Sequence, residues 1–263
     1  MTDREAKNVI NLLCQEWKIK KKDFFFEIIN YLDKNIDKKI SFSNEFEFSL
    51  IEGDSKIRLL HLNFWQPILS FEKIKRIIKK REETITSIFR KLSLAFNCQY
   101  NLPLLISFLK FNRVAGFWPI QFGLEYQKKS QPKIKVYLSI NKDKFSLKKF
   151  CNDFNLNYKI LIKEFKDRKF DTIAIDFLSD GEYGFKFYPL TGINNGLLYR
   201  VSKNSEFFSV KMWQRFPQGL TVKDIENSNF IILPLFIKNI IAKNKFKIFY
   251  LSEENNKRGI YFR

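Results

Sequence analysis

Hydrophobic and polar residues alternate in paired short segments along most of the chain, and residues 171–190 show this pattern most clearly. Two alternating runs there flank a Ser-Asp-Gly sequence, a combination typical of an antiparallel hairpin. Successive strand side chains point to opposite faces, so Lys186 and Tyr188 share one face with the carboxylate of Asp176. The opposite, apolar face carries Ile173, Ile175, Phe177, Phe185 and Phe187.

Four further pairs of segments repeat this alternation. They predict strands at 43–51 and 56–65, 117–127 and 133–140, 197–202 and 206–213, and 245–252 and 259–263. In the first of these strands Glu45 and Glu47 share a face, and phenylalanine residues occupy the other face. The chain therefore predicts ten strands arranged as five hairpins.

Apolar residues spaced three and four apart predict helices between the hairpins. Two helices are expected within 3–33 and a long one at 71–96. Shorter helices are expected at 103–111, 146–154 and 158–165. A last helix, capped by Thr221 or Ser228, is expected to carry Ile231 through Ile241, and Pro234 limits where it can start.

The order of these elements predicts the fold class. Helices alternate with two-stranded units, whereas a doubly wound parallel fold alternates helices with single strands. No Gly-, Pro- or Ser-rich linker interrupts the pattern, so we expect one domain over residues 1–263. An antiparallel sheet of about ten strands tends to curl or close. We predict an α+β fold, a ten-stranded antiparallel barrel with a polar lumen surrounded by helices; an open sheet with a solvated polar face is the alternative.

Composition narrows the location and the kind of site. The chain has no apolar run of the ~20 residues that span a bilayer, and its first ten residues lack a signal pattern, so a cytoplasmic protein without membrane contact is expected. Cys14, Cys98 and Cys151 lie far apart without CxxC spacing, and His61 is the single histidine. Disulfides and a protein-held metal site are therefore not expected.

The formal net charge is +19, and a strongly basic protein ordinarily suggests a polyanionic partner. The charge is spread along the chain, however, and the abundance of Lys, Asn, Ile and Phe is typical of an AT-rich genome. A solvated basic surface is therefore the preferred interpretation. Non-enzymatic binding of nucleic acid stays as the alternative from another functional class.

The polar strand face carries a repeated combination of cation and ring. Lys135, Lys186 and Lys247 are each followed two residues later by an aromatic residue. Cations beside rings in a closed cavity suit a substrate with a polyphosphate at one end and a developing positive charge at the other. Allylic diphosphates have this character when the C–O bond ionises, and a carboxylate then takes the acceptor's proton.

Four stretches carry a family resemblance: IAIDFLSDGEYGFKFYPL, GLEYQKKSQPKIKVYLSI, SNEFEFSLIEGD and the terminal KFKIFYL. In them, and in element order over most of its length, the chain resembles the aromatic prenyltransferases of the ABBA barrel fold. Among these it is most similar to the peptide prenyltransferases of cyanobactin biosynthesis. The resemblance implies a ten-stranded antiparallel barrel ringed by helices.

The resemblance also implies roles for particular residues. It places the general base at Glu45, with Glu47 as the second choice, and departs from the family at Gln127, where a basic residue is expected. The implied diphosphate ligands are Arg58, Lys135, Lys186 and Lys247. The implied carbocation shield is Tyr137, Tyr188 and Tyr199.

The implied reaction transfers a dimethylallyl (C5) group from dimethylallyl diphosphate to a side chain or terminus of a ribosomally made, cyclic peptide. A C10 donor stays open, and a small indole or phenol acceptor is the alternative within the same chemistry. The chain has no DDxxD cluster, so any Mg²⁺ is expected to be bound through the diphosphate and not by an all-protein site. A monomer is expected.

Overall fold

The computed structural model describes residues 1–20, 22–34, 41–65, 71–115, 118–128, 130–140, 145–165, 168, 170–189 and 195–263. Ten strands close into one antiparallel barrel, because the first strand pairs both with the second and with the last. The strands are β1 Ser41–Ile51, β2 Lys56–Trp65, β3 Trp118–Gln127, β4 Lys133–Ser139, β5 Phe170–Phe177, β6 Tyr183–Pro189, β7 Asn195–Ser202, β8 Phe207–Leu220, β9 Ile248–Glu254 and β10 Lys257–Phe262. The predicted barrel is thus confirmed.

Eight helices lie among the described residues. They are α1 Asp3–Glu16, α2 Lys22–Lys34, α3 Phe71–Phe96, α4 Leu102–Ala115, α5 Leu147–Asp153, α6 Tyr158–Phe165, α7 Val222–Ser228 and α8 Leu235–Lys243. Within the described part of the chain, none of them combines the length and the apolar character that a bilayer-spanning helix needs.

The hydrophobic core lies between the outer face of the barrel and the helices. The outward residues of β5 and β6 are almost fully buried there. Phe150 of α5 packs edge-on against Phe185 and Phe187, each with ring centroids 5.7 Å away. On the neighbouring strand, Phe89 of α3 meets Phe177 at 4.8 Å. Because the apolar faces point outward to the helices, the polar strand faces point into the lumen.

The C-terminal helical region differs from its prediction. Two helices occur where one was expected, and Ile231 lies between them. The hydroxyl of Thr221 caps α7 by accepting a hydrogen bond from the backbone N–H of Asp224. α8 begins only after Pro234, which lacks the N–H that a continuous helix would need at this point.

Two strand boundaries also differ from the prediction. β8 continues to Leu220, well beyond the predicted end at 213, and β9 begins at Ile248 instead of 245. A register shift opposite Tyr261 and Phe262 precedes the regular part of β9. Residues 21, 117 and 190 of the predicted elements lie outside the described residues.

Candidate functional site

The barrel lumen contains two adjoining cavities, one smaller and one larger. Seven residues line both of them, so the two cavities meet at these residues. The shared residues are Glu47, Leu60, Tyr137, Tyr188, Leu198, Lys211 and Tyr261. We call the smaller cavity the cationic end and the larger cavity the wide end.

Basic side chains from four strands define the cationic end. Arg58 of β2, Lys135 of β4, Lys186 of β6 and Arg200 of β7 line it together. Strand alternation places them there, because the residues on either side of each one face the helices. The prediction that Arg58, Lys135 and Lys186 share one place in the lumen is thus matched by their positions, and Arg200 is an addition.

Glu125 of β3 holds two of these cations in place. Its carboxylate accepts a hydrogen bond from Lys135 Nζ at 2.7 Å and lies 3.4 Å from Arg58 Nε. Arg58 also donates to Asp54 at 2.5 Å. Burial alone would raise the pKa of Glu125, but attraction to Lys135 and Arg58 outweighs it and leaves the pKa well below its usual range. Glu125 is therefore ionised at neutral pH.

A second set of ion pairs continues around the barrel. Asp176 of β5 accepts a hydrogen bond from Lys186 Nζ, and its other oxygen lies 3.4 Å from Arg200 Nη1. Arg200 Nε donates to Glu254 of β9 at 2.7 Å. Burial would raise the pKa of Asp176, but the attraction of Lys186 outweighs it, so the pKa is lowered. The cations are thereby fixed in position before any ligand arrives.

Aromatic rings and one further cation occupy the middle of the lumen. The rings of Tyr137 and Tyr188 lie 6.2 Å apart, and Lys186 Nζ lies 5.9 Å from the centroid of the Tyr137 ring. Burial raises the pKa of Tyr137 well above its usual value, so its phenol is neutral. Lys211 of β8 donates to the hydroxyl of Tyr261 at 2.5 Å. Among the described residues, Lys211 and Arg215 are the lumen cations for which no carboxylate lies within ion-pair distance.

Glu47 lies between the two ends of the lumen. Its side chain is 3% exposed, and it lines both cavities. Within the described part of the chain, its Oε2 atom has no hydrogen-bond partner. Burial raises the pKa of Glu47 to about 7, against the opposing attraction of Arg263. A carboxylate with a free oxygen and a pKa near neutrality can accept a proton from a substrate at this point.

Glu45, the predicted general base, lies two residues before Glu47 on the same face of β1. Its Oε2 atom is 2.8 Å from Arg263 Nη1, and its side chain is 31% exposed. It is not among the residues that line either cavity. Its carboxylate is therefore engaged near the edge of the lumen, and Glu47, the second choice, is the better placed of the two.

The structure corrects the predicted positions of Tyr199 and Lys247. Tyr199 faces outward, because its neighbours Leu198 and Arg200 take the lumen face of β7. Its ring lies in the core, 5.3 Å from the ring of Phe165, and not in a carbocation shield. Lys247 precedes β9, is exposed, and lines neither lumen cavity. The predicted alternation is wrong by one residue, because Tyr250 and not Phe249 takes the lumen face of β9. Lys247 itself lies beyond the end of the strand, where its backbone pairs with that of Arg263.

The wide end combines aromatic rings with arginines. Trp213 and Arg215 of β8, Tyr250 of β9 and Arg263 line it. The rings of Trp213 and Tyr250 meet edge-on with centroids 6.0 Å apart. This end can therefore hold an aromatic or apolar group next to the free oxygen of Glu47.

Sequence reasoning missed several lumen residues, namely Glu125, Arg200, Lys211, Trp213, Arg215, Tyr250, Glu254 and Tyr261. Period-two spacing would have found Lys211, Trp213 and Arg215, which follow one another on a single face of β8. Arg200 alternates with Tyr199 on β7, so the prediction that places Tyr199 in the lumen puts Arg200 on the outer face.

The lumen carboxylates that the structure describes do not form a metal-binding site. The described residues include no group of three or more His, Cys, Asp and Glu side chains arranged to hold one. The carboxylates of Glu125, Asp176 and Glu254 are already paired with lumen cations. These residues do not fit an all-protein metal site, so a metal ion there would depend on oxygen atoms of the substrate.

The fold was compared with known proteins. No family model matches the chain, and no curated protein sequence matches it either. Among solved structures, the chain is similar to 5-dimethylallyl tryptophan synthase from Streptomyces coelicolor in complex with DMASPP and Trp. That similarity has a TM-score of 0.66 at 10% identity and covers 99% of this chain and 94% of the other.

Two further solved structures share the fold. The prenyltransferase PriB, in a ternary complex with L-tryptophan and dimethylallyl thiolodiphosphate, has a TM-score of 0.61 at 9% identity, covering 98% of this chain and 95% of the other. The 6-dimethylallyltryptophan synthase from Micromonospora olivasterospora, in complex with DMASPP and Trp, has a TM-score of 0.53 at 11% identity, covering 99% and 97%. The barrel of this chain is therefore the barrel of these prenyltransferases.

Proposed function

We propose that the protein is a prenyltransferase that moves a dimethylallyl group from dimethylallyl diphosphate to a nucleophilic group of a peptide. The observation that carries this proposal is the distribution of groups along the lumen. Four cations line one end, and two tyrosine rings and a buried carboxylate with a free oxygen lie where this end meets the wide end. A diphosphate needs the first environment, and an allylic cation and an acceptor proton need the groups of the second.

In the first step the bond between C1 of the allyl group and the diphosphate oxygen breaks, and the oxygen keeps the electron pair. Lys135, Lys186 and Arg200 stabilise the charge on the leaving diphosphate. Tyr137 and Tyr188 present their ring faces to the allylic cation and keep water away from it. Lys211, which has no carboxylate partner among the described residues, adds positive charge between the two cavities.

In the second step the acceptor nucleophile forms a bond to the allylic cation and loses its proton. Glu47 takes that proton, since its Oε2 atom is free and lies where the cavities meet. The prenylated acceptor and diphosphate then leave, and Glu47 returns its proton to solvent. Glu45 takes no part in this step, because its carboxylate pairs with Arg263 at 2.8 Å, at the edge of the wide end.

The acceptor is the less constrained part of the proposal. The wide end is the larger of the two cavities and is lined by aromatic rings and arginines, which suits an aromatic side chain together with adjoining backbone. A peptide acceptor, linear or cyclic, is therefore our first choice. A small aromatic acceptor is the second candidate, and it is favoured by the tryptophan in the complexes of proteins that share this fold.

The donor is proposed to be dimethylallyl diphosphate, with a C10 donor left as a second substrate to assay. Any Mg²⁺ is proposed to act through the diphosphate oxygens, so activity measured with excess chelator should persist in part. We further propose that the protein acts as a cytoplasmic monomer, which sedimentation of the purified protein would check.

The experiment that tests the function is incubation of purified protein with labelled dimethylallyl diphosphate and a panel of cyclic and linear peptides, L-tryptophan and phenols. A mass gain of one isoprene unit on an acceptor is the expected result. Lack of transfer to every acceptor, together with salt-sensitive binding of RNA or DNA, would instead support the nucleic-acid alternative.

A further inference from the structure

A third cavity lies outside the lumen, against the wall formed by β7, β8 and β9. It is an open groove with a mainly apolar lining. Its apolar side chains are Leu197, Met212, Trp213, Phe230 and Leu251. Met212 is 56% exposed, so the groove offers apolar surface to solvent. Exposed apolar surface with a polar rim, here Gln214 and Glu253, commonly marks a binding site.

The groove adjoins the wide end of the lumen through Trp213, which lines both. The indole lies across Gly196, where a Cβ atom would come within 2.1 Å of the ring. Glycine at this position on β7, opposite Trp213, therefore lets the indole pack directly against the backbone on the lumen face. In the described structure, the indole Nε1 atom is buried without a hydrogen-bond partner. A buried N–H donor without a partner gains free energy when a ligand supplies a carbonyl oxygen.

We propose that this groove binds an apolar side chain of the peptide acceptor that flanks the nucleophilic residue in the lumen. The inference rests on the proposed function and specifies its acceptor. Residues that flank the nucleophile must lie outside the lumen, and the groove is the apolar surface that shares a wall residue with the wide end. The N–H of Trp213, which lies beside Gly196 on the lumen face of the wall, donates to a backbone carbonyl of the peptide at the wide end. A free amino acid or a phenol has no flanking residue and leaves the groove empty.

Two substitutions on the same face of β8 distinguish a loss of binding in the groove from a general effect of added surface charge. Met212→Lys places an ammonium group in the groove, opposite Glu253 on the neighbouring strand. Val210→Lys places the same charge two residues away, at a side chain that is 43% exposed and does not line the groove. Both sites are exposed enough for lysine, so both variants should fold, which thermal unfolding would verify.

The probe is a fluorescein-labelled cyclic hexapeptide with one tyrosine between leucine and phenylalanine, titrated by fluorescence anisotropy. Met212→Lys should weaken its binding about tenfold or more, since this is the scale of one buried apolar side chain. Val210→Lys should change the affinity by less than about twofold, and both variants should bind inorganic pyrophosphate as the wild type does. Equal peptide affinities for all three proteins would contradict peptide binding in the groove. A wild-type protein that does not bind the peptide would contradict it as well.

Transfer of the prenyl group is measured separately on the same peptide and on L-tryptophan. Groove-dependent binding without transfer to any acceptor would overturn the proposed reaction and leave the groove standing. If the peptide is prenylated and its KM is the same in the wild type and in Met212→Lys, the proposed peptide binding in the groove is wrong and the proposed reaction stands. The expected result is a higher KM for the peptide in Met212→Lys and an unchanged KM for tryptophan.

Discussion

Replacing Glu47 by glutamine removes the proposed base while keeping the size of the side chain. A general base contributes about 10²- to 10⁴-fold to the rate, so kcat should fall at least about a hundredfold. Affinity for dimethylallyl diphosphate should change by less than about twofold, because Glu47 holds none of the lumen cations in an ion pair. In the wild type, activity should rise with pH through about 7, where this carboxyl loses its proton. That rise should be missing in Glu47→Gln.

The same substitution makes a prediction about stability with a defined sign. The pKa of Glu47 is raised from 4.5 to about 7 on folding. Ionisation therefore costs the folded state free energy, and the cost grows as the pH rises from about 4.5 to about 7. Above pH 7 it reaches roughly 3 kcal/mol, at about 1.4 kcal/mol per pKa unit. Glu47→Gln should thus be more stable than the wild type at pH 8 and nearly equal to it at pH 4, as measured by urea unfolding.

Glu45→Gln is the matched control for both experiments. Its partly exposed ion pair with Arg263 is worth at most about 1 kcal/mol, so stability and kcat should change little. If Glu45→Gln abolished transfer while Glu47→Gln retained it, the assignment of the base would be reversed. If both variants kept full activity, the reaction would not need a carboxylate on β1.

Three further predictions concern other residues. Lys186→Gln should weaken binding of inorganic pyrophosphate at least about tenfold in calorimetry, while Lys247→Gln should change it less than about twofold; equal losses would contradict the placement of Lys247 outside the lumen. Tyr137→Ala should shift the products from prenylated acceptor toward hydrolysed donor, because it admits water beside the cation; an unchanged product ratio, measured by chromatography, would contradict the shield. Gly196→Ala should lower stability by about 1–3 kcal/mol in denaturant unfolding, since its Cβ would meet the indole of Trp213 at 2.1 Å; an unchanged midpoint would contradict that packing.

The helices and strands of the barrel could be predicted because each one is marked by a local pattern of apolar and polar residues. In β4 the buried residues alternate without interruption, so the lumen positions of Lys135 and Tyr137 follow from the sequence alone. The long helix α3 matches its predicted bounds of 71 to 96 because its apolar positions keep one period throughout. Regular alternation and helical spacing reflect burial on one face, which does not depend on distant parts of the chain.

The parts of the site that escaped prediction depend on register and on contacts across the barrel. At β9 the lumen face belongs to Tyr250, so the choice of Lys247 and Phe249 for that face is wrong by one residue, and no local residue pattern decides between the two faces. The choice between Glu45 and Glu47 depends on where the first strand crosses the lumen, since both residues share a face. The ion pairs of Asp176 with Lys186 and Arg200 join three neighbouring strands, and they depend on the register between two hairpins, which local spacing does not define.

The central claim is that the lumen binds an allylic diphosphate in one orientation, and a crystal structure with dimethylallyl thiolodiphosphate tests it most directly. We predict that the diphosphate contacts Lys135, Lys186 and Arg200, and that the allyl group lies between Tyr137 and Tyr188 on the side facing Glu47. A diphosphate bound at the wide end beside Arg215, or found only outside the barrel, would contradict the account.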